Sequence, residues 1–201
     1  MTEITADQVK ALREATGAGM MACKQALQEA DGDPKRATEI LREKGLASAQ
    51  KRAGRSANQG LIESYIHFNN TVGVLVEVNC ETDFVANTDE FKTLARDICL
   101  HIASAVPQWV HREDIPEDIL TAERRIYEAE ARQSGKPDNV IDRIVEGKLE
   151  GFYKTTVLVD QSFVKDTDKT IRQLVDEISA KVGEKVAVRR FVRYKLGEDA
   201  E

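Results

Sequence analysis

The sequence predicts an α+β fold in which a small antiparallel sheet is packed by helices. Valines alternate with other residues over residues 72–78, which indicates a β-strand. Apolar residues then recur at three- and four-residue intervals over residues 91–102, which indicates a helix with one apolar face. A second alternating stretch, residues 186–196, predicts another strand. A hairpin formed by residues 61–68 and 72–80 is expected to join this last strand in a three-stranded sheet.

Residues 1–54 are predicted to form a three-helix domain that ends in a basic linker. Thr5 and Gln8 have the spacing of a capping box at the start of a first helix, which Gly17 can end. A second helix is predicted over residues 20–30, with Gly32 as its stop. About forty residues supply only a thin hydrophobic core, so this domain should be marginally stable alone.

The third helix leads into the linker. Asp33 and Pro34 are typical of a helix start, and Gly45 is predicted to end the helix. Residues 47–59 are rich in small residues and contain basic residues but no acidic one. A solvated linker is the favoured interpretation, and a surface for RNA or an acidic partner at residues 47–55 is the alternative. The basic residues are Lys51, Arg52 and Arg55.

Residues 55–201 are predicted to form the α+β core. Residues 61–68 and 72–80 flank an Asn-Asn-Thr turn, which is typical of a β-hairpin. The following helix should end before Pro107. Two later helices, starting after Pro116 and at Asp138, are joined by a short Gly-Pro turn, so they should form an antiparallel helical hairpin at about residues 115–153.

The last part of the chain should contain an extended stretch, a helix and the third strand. Residues 157–164 are predicted to be extended, and the amphipathic helix over residues 171–182 is ended by Gly183. One face of the last strand is predicted to be core, and the other to be basic and solvated. The core face comprises Val186, Val188, Val192, Tyr194 and Leu196, and the basic face comprises Arg189, Arg193 and Lys195 with Phe191.

The composition is typical of a soluble globular protein. The chain has 201 residues, of which 41% are hydrophobic and 32% charged, enough for one full domain and a small satellite. The net charge of −6 argues against general nucleic-acid binding, which requires neutralisation of phosphates. No apolar run approaches the length of a membrane span, and residues 1–10 do not have the character of a signal peptide. We therefore expect a cytoplasmic protein with no membrane partner.

No pattern of an active site or metal site is found. The cysteines form no CxxC pair and lie in apolar segments, where buried thiols are expected. The histidines lack metal-ligand spacing, and no phosphate-binding loop or nucleophile elbow occurs. We therefore expect no enzymatic activity, no metal and no cofactor. The cysteines are Cys23, Cys80 and Cys99, and the histidines are His67, His101 and His111.

The turn between the second strand and the next helix is the strongest candidate for an interaction site. Either Thr82 or Thr88 can cap the helix start. Asp83 and Phe84 place a carboxylate beside a large aromatic ring on this turn. On pattern alone, the favoured interpretation buries Phe84 as a lid on the core, because apolar turn residues are more often buried than functional. The alternative is that Phe84 projects outwards.

Two segments of this chain resemble the signatures of a known family. The first, from residue 12, begins Leu-Arg-Glu-Ala-Thr-Gly-Ala-Gly-Met-Met and continues to residue 27. The second, residues 77–87, reads Glu-Val-Asn-Cys-Glu-Thr-Asp-Phe-Val-Ala-Asn. Both resemble the translation elongation factor Ts family, and the similarity covers essentially the whole chain. The resemblance implies a guanine nucleotide exchange factor that binds elongation factor Tu, GDP-bound or nucleotide-free, and promotes GDP release without covalent chemistry.

The resemblance also implies roles for particular residues. The N-terminal domain should be of the ubiquitin-associated type and should dock on the partner. Ala22 departs from the family, which usually has an acidic residue there. The expected docking residues are Leu12, Arg13, Thr16, Gly17, Met20, Met21 and Lys24. The residues expected to act near the partner's Mg²⁺ and nucleotide site are Thr82, Asp83, Phe84, Val85 and His101.

The residues and the resemblance assign different roles to His101, and the single sheet bears on the assembly state. On the residues alone, His101 is interpreted as a half-buried structural histidine, whereas the resemblance implies that it enters the partner. The chain has one copy of the sheet-bearing core, whose single sheet leaves a face that a second copy can cover. We therefore predict a homodimer in which one partner molecule meets Asp83 and Phe84 of one subunit and His101 of the other. A small enzyme and a nucleic-acid-binding module are the alternative functions.

Overall fold

The computed structural model describes residues 4–52, 54–135 and 137–198, apart from the side chains of Leu46 and Gln50, and confirms the α+β class. The helices within these ranges are α1 (Ala6–Thr16), α2 (Met20–Glu29), α3 (Pro34–Arg52), α4 (Asp83–Ala86), α5 (Asp89–Ala105), α6 (Glu117–Gln133), α7 (Asp138–Thr156) and α8 (Ile171–Val182). The strands are β1 (Gln59–Ile66), β2 (Val72–Cys80), β3 (Ser162–Phe163), β4 (Asp166–Thr170) and β5 (Ala187–Lys195). No helix in the described ranges is both long and apolar enough to cross a membrane.

The main sheet has three strands, as predicted, and their order is β1-β2-β5. A second, two-stranded sheet pairs β3 with β4 antiparallel, and it was not predicted. The continuous extended stretch expected over residues 157–164 is wrong, because a 3-10 turn at Leu158–Asp160 interrupts it. The sequence signal is weak because β4 is Asp-Thr-Asp-Lys-Thr, which includes residue types depleted in strands.

The contacts of the chain divide it into two compact units. The first comprises the residues up to Leu61 with Val78–Leu94 and Gln173–Ala187, and the second comprises Ile62–Glu77, Ala95–Arg172 and the residues from Val188 onwards. Both signature segments, apart from residue 77, therefore lie in the first unit. The predicted domain boundary between residues 54 and 55 stays a prediction.

The three-helix part of the first unit has the predicted local signals. Thr5 and Gln8 form the capping box of α1, and Gly17 ends that helix with a left-handed φ of 68°. Leu12 of α1 and Leu27 of α2, which are 4% and 1% exposed, belong to the small core of these helices. The core otherwise consists of Val9, Cys23, Ala26, Ala30, Ala37 and Ile40.

The predicted end of α3 at Gly45 is wrong, since the helix continues to Arg52. Ala-rich sequence after Gly45 has high helix propensity, which offsets the cost of about 1 kcal/mol for one glycine in a helix. A Cβ atom at Gly45 would lie 3.1 Å from Cβ of Ala180 in α8. Glycine is therefore explained here by the close approach of α8, and much of the predicted linker is helical.

Gly60→Ala is expected to destabilise the protein by about 3 kcal/mol, because φ at Gly60 is 146° and an added Cβ would lie 2.1 Å from the carbonyl oxygen of Val78. Urea unfolding followed by circular dichroism measures this loss. Gly147→Ala is the matched control, since its Cβ would meet nothing within 4 Å and alanine favours the interior of α7. Equal stability of the two variants would contradict the steric argument.

The second unit contains the predicted helical hairpin. Its helices α6 and α7 pack around Ala131, Ile141, Val145 and Leu149. Gly135 has a left-handed φ of 70° in the turn between them, and Lys136 of that turn lies outside the described residues. The predicted antiparallel pairing is thus confirmed.

At the base of this hairpin, a single guanidinium joins three elements. Arg112 Nη1 donates to Glu150 of α7 at 2.7 Å, and its Nε donates to Asp160 at 2.5 Å. The same guanidinium lies 4.3 Å from the ring centroid of Tyr153. Burial raises the pKa of Asp160, but hydrogen bonds from Arg112 and Arg172 outweigh it and hold the pKa below its usual value.

The predicted faces of β5 are wrong beyond Val188. Val186 and Val188 are buried, but Val192, Tyr194 and Leu196 are exposed. Arg193, assigned to the solvated face, has a side chain only 9% exposed and pairs with Glu198 at 2.7 Å. Alternation identifies two faces of a strand but does not tell which one other elements cover.

Exposed apolar residues on β1, β2 and β5 form what we call the open sheet face. Gly73 and Ile66 lie on this face, because a Cβ at Gly73 would meet Cδ1 of Ile66 at 3.1 Å. Arg190 of β5 donates to Glu77 of β2 at 2.8 Å, which places their alternate neighbours on a common side. The exposed members on these strands are Ile62, Ile66, Leu75, Val192 and Tyr194, all in the second unit, and Phe68 and Leu196 are exposed just beyond the ends of β1 and β5.

Candidate functional site

The turn that carries Asp83 and Phe84 begins and ends with a threonine cap. The hydroxyl of Thr82 accepts from the backbone N–H of Val85 at 3.4 Å and caps the four-residue helix α4. The hydroxyl of Thr88 accepts from the N–H of Phe91 at 3.3 Å at the start of α5. Both threonines therefore cap a helix. The sequence predicted one helix start capped by either threonine, whereas the structure has two successive helices, α4 and α5, each with its own cap.

Phe84 points outwards. Its side chain is 82% exposed, and the neighbouring Asp83 is also exposed. Val85 and Ala86, on the other side of α4, are 9% and 7% exposed and attach the turn to the core. The interpretation of Phe84 as a core lid is thus wrong, because Val85 and Ala86 already provide the buried side of this short helix. A large exposed ring next to an exposed carboxylate has the chemistry of a contact surface.

The backbone before Asp83 is held by Glu184, which the sequence analysis missed. Glu184 Oε2 accepts from the N–H groups of Glu81 at 3.1 Å and Thr82 at 3.0 Å, and its Oε1 accepts from the Thr82 hydroxyl at 2.7 Å. In return, Glu81 Oε1 accepts from the N–H of Lys185 at 2.6 Å, and this hydrogen bond lowers the pKa of Glu81. No local signal reveals Glu184, since 102 residues separate it from Thr82.

The first signature segment forms the end of α1, the turn at Gly17 and the start of α2. Met20 and Met21 are 60% and 67% exposed, so both thioethers lie at the surface. Arg13 and Lys24 are also exposed. Flexible apolar side chains beside cations form a surface suited to contact with a protein.

Two of the predicted docking residues have different surroundings. Leu12 is 4% exposed and belongs to the three-helix core, where it supports the surface from below. Thr16 is half-buried, and its hydroxyl donates to the carbonyl of Leu12 at 2.7 Å. The seven predicted docking residues are therefore not equally accessible.

Lys181 of α8 links this first surface to the start of α5. A Cβ at Gly17 would lie 2.6 Å from Cε of Lys181, so the lysine chain lies directly over the glycine. Its ammonium group pairs with Glu90 at 3.1 Å. Lys181 therefore connects the first signature segment to the start of α5 within the first unit.

His101 lies in the second unit and is 0% exposed, so the expectation of a half-buried ring is wrong. Its Nε2 is 2.9 Å from Gln161 Oε1, and its Nδ1 accepts from the N–H of Val164 at 3.3 Å. With Nδ1 as acceptor, Nε2 carries the proton and donates to Gln161. Burial lowers the pKa of His101, against the opposing effect of the Gln161 hydrogen bond. These contacts favour the structural interpretation of this histidine.

His101 should make the protein less stable in mild acid. The unfolded chain binds a proton at His101 near pH 6.5, whereas the folded chain binds it only at lower pH. The contribution of the neutral ring to the free energy of unfolding is therefore fully present above pH 6.5 and decreases as the pH falls below this value. Melting temperatures between about pH 8 and about pH 5 should show this slope. His101→Gln should flatten it, and His111→Gln should not. An unchanged slope in His101→Gln would assign the acid sensitivity to another group.

The described residues contain no cluster of three or more His, Cys, Asp or Glu that could hold a metal ion. Cys23, Cys80 and Cys99 are free and buried, as predicted. Burial raises the pKa of Cys99 to about 12 and also raises that of Cys80, so these thiols are poor nucleophiles.

Comparison with known proteins gives one consistent result. The model of the family described as "Elongation factor TS" matches residues 5–198. A protein named Elongation factor Ts from a Thermoanaerobacter species is 57% identical over 98% of this chain and 97% of its own length. Proteins of the same name from Caldanaerobacter subterraneus and Desulforamulus reducens are 56% identical (98% of this chain, 99% of the relative) and 55% identical (100% and 93%).

Proposed function

This chain belongs to the elongation factor Ts family, and from that premise we propose that it is a guanine nucleotide exchange factor for elongation factor Tu. On this proposal it acts in the cytoplasm during translation elongation, binds the GDP-bound and nucleotide-free partner, and catalyses no covalent step. The observation that carries the proposal is the exposed Phe84 beside Asp83 on a turn fixed at both ends.

Phe84 supplies the driving force in this proposal. A nucleotide held by Mg²⁺ and backbone amides leaves slowly, because many contacts break together. An aromatic anchor that becomes buried only in the nucleotide-poor partner contributes about 2–4 kcal/mol to that state. Since about 1.4 kcal/mol corresponds to a factor of ten, such coupling accelerates release by one to three orders of magnitude. The coupling is reciprocal, so rebinding of nucleotide expels the factor.

Asp83 and the turn residues have distinct roles in this mechanism. The Asp83 carboxylate is exposed beside the ring and would rearrange the ligands around the partner's Mg²⁺. Thr82 and Val85 hold the turn, one by capping α4 and the other by burial. Phe84 and Asp83 are therefore the residues in contact, and Thr82 and Val85 position them.

Docking is assigned to the exposed part of the first signature. Met20 and Met21 provide apolar contact, and Arg13 and Lys24 provide positive charge for acidic groups of the partner. Because both signature surfaces belong to the same compact unit, docking and insertion of Phe84 act from one framework. Leu12 and Thr16 support this surface from below, and the exposed Gly17 forms the turn after α1.

His101 is assigned a positioning role. Its two ring nitrogens are occupied by Gln161 and Val164, so the ring holds the chain near Val164. Direct contact with elongation factor Tu would require these hydrogen bonds to break. We therefore do not propose the composite site in which a second subunit supplies His101 to the partner. The homodimer itself is still proposed.

The homodimer proposal rests on the open sheet face. Clusters of exposed apolar side chains on one face mark interaction sites on soluble proteins. Two copies of a sheet can pack face to face about 10 Å apart, and a two-fold axis presents the same patch to itself. A second copy of this chain is therefore the proposed occupant.

Nucleic-acid binding through residues 47–55 has less support. Arg55 pairs with Glu81 at 3.2 Å, and residues 47–52 belong to α3 rather than to a loop. We therefore expect no direct nucleic-acid partner.

The proposed function is tested by stopped-flow release of a fluorescent GDP from elongation factor Tu. The chain should accelerate release by at least about 30-fold at saturation, and should have no effect on an unrelated GTP-binding protein. Equal release with and without the chain would overturn the proposal.

A further inference from the structure

The carboxylate of Glu184 is placed to control the geometry of the Asp83–Phe84 turn. It accepts three hydrogen bonds from two consecutive residues, the N–H groups of Glu81 and Thr82 and the hydroxyl of Thr82. Three donors on one carboxylate fix both its position and the backbone it holds. All of these residues lie within the first unit.

Glu184 is itself held in place from its own side. Gly183 ends α8 with a left-handed φ of 76°, which turns the chain sharply before Glu184. The hydroxyl of Ser179 donates to the carbonyl of Glu184 at 2.5 Å, and the N–H of Lys185 donates to Glu81 at 2.6 Å. The two segments are therefore joined reciprocally, each through a glutamate that accepts backbone hydrogens from the other.

The Thr82 hydroxyl transmits this arrangement to α4. It donates its proton to Glu184, so a lone pair remains available for the N–H of Val85. A helix of four residues has no stability of its own and depends on its cap and packing. The direction of the Phe84 ring therefore depends on a hydroxyl whose orientation Glu184 determines.

We propose that Glu184 is a positioning residue for nucleotide exchange, acting through Thr82 to hold Phe84 and Asp83 in the geometry that enters the partner. This inference rests on the proposed function for its effect on exchange, but its structural part stands on the free protein. Docking through Met20 and Met21 does not depend on Glu184. Loss of Glu184 should therefore lower the maximal rate of GDP release without lowering the affinity for elongation factor Tu.

Glu184→Ala should lower the maximal rate of GDP release from elongation factor Tu by about 100-fold, because a displaced Phe84 ring loses its contact with the nucleotide-poor partner and the loss of an aromatic interface anchor has effects of that size. The concentration of chain at half-maximal rate should change less than about threefold, since docking is intact. Glu184→Gln should restore most of the rate, because its amide oxygen accepts the two N–H groups and its NH₂ can donate to Thr82. Glu39→Ala, which removes an exposed carboxylate paired with Arg36 in the same unit, is the control and should behave as wild type.

Two further measurements separate this inference from general instability and from the exchange function itself. Thr82→Val should slow release as Glu184→Ala does, and the double variant should be no slower than either single one, as expected for groups that act together. Amide hydrogen exchange at Val85 in the free chain should be faster in Glu184→Ala and unchanged in Glu184→Gln.

The outcomes that overturn the inference are equally specific. A wild-type maximal rate in Glu184→Ala, or a Gln variant as slow as the Ala variant, removes the positioning role. If the wild-type chain does not accelerate GDP release at all, the proposed function fails. Hydrogen exchange of the Val85 amide in the free chain then tests whether Glu184 holds the Asp83–Phe84 turn. Unchanged exchange of that amide in Glu184→Ala would then overturn the inference by itself.

Discussion

Phe84→Ala should reduce the maximal rate of GDP release from elongation factor Tu by about 30-fold to about 1000-fold while the melting temperature changes by less than about 2 °C. The ring is 82% exposed, so its removal leaves no cavity in the free protein. The loss in rate corresponds to an aromatic anchor of about 2–4 kcal/mol in the interface. Stopped-flow fluorescence over a range of chain concentrations gives the rate, and a thermal scan of the free variant gives the stability.

Ile126→Ala is the matched control for this truncation. Ile126 is an exposed apolar residue on α6, and its loss should leave the release rate unchanged. A wild-type maximal rate in Phe84→Ala would show that the ring is not the anchor. A marked fall in melting temperature with unchanged activity of the folded fraction would return Phe84 to a structural role.

Ile66→Glu should convert the protein from a dimer to a monomer. Ile66 lies on the open sheet face, and a two-fold interface would bury the new carboxylate twice without a partner charge. Loss of at least about 3 kcal/mol, or about 100-fold in affinity, is expected. Light scattering at micromolar concentration should give twice the 22.4 kDa chain mass for wild type and the chain mass for the variant.

Ile126→Glu makes the same change at an exposed site on the helical hairpin and should stay dimeric. The circular dichroism spectrum of Ile66→Glu should match that of wild type, because the residue is already exposed in the single chain. A monomeric mass for the wild-type chain would contradict the homodimer proposal. The open sheet face would then not be covered by a second copy of this chain.

Local sequence signals predicted most of the elements because they act over one or two turns of chain. The capping box of Thr5 and Gln8, the apolar period of α5 and the stop at Gly183 all depend on residues three or four positions apart. The two signature segments also identified the family, since their residues are contiguous in sequence. The predicted helix end at Gly45 was wrong because glycine serves both at helix ends and at close packing contacts, and only the approach of Ala180 in α8 shows which applies.

The sequence by itself therefore determined the class of fold, the family and the positions of the candidate residues. Only the tertiary structure decided which of them are accessible: Phe84 outwards, His101 buried, and the apolar side of β5 uncovered. It also brought Glu184 to Thr82 across 102 residues of chain. The physical reason is that hydrophobic patterns indicate that a face is apolar, whereas burial and hydrogen bonding depend on which distant elements pack against it.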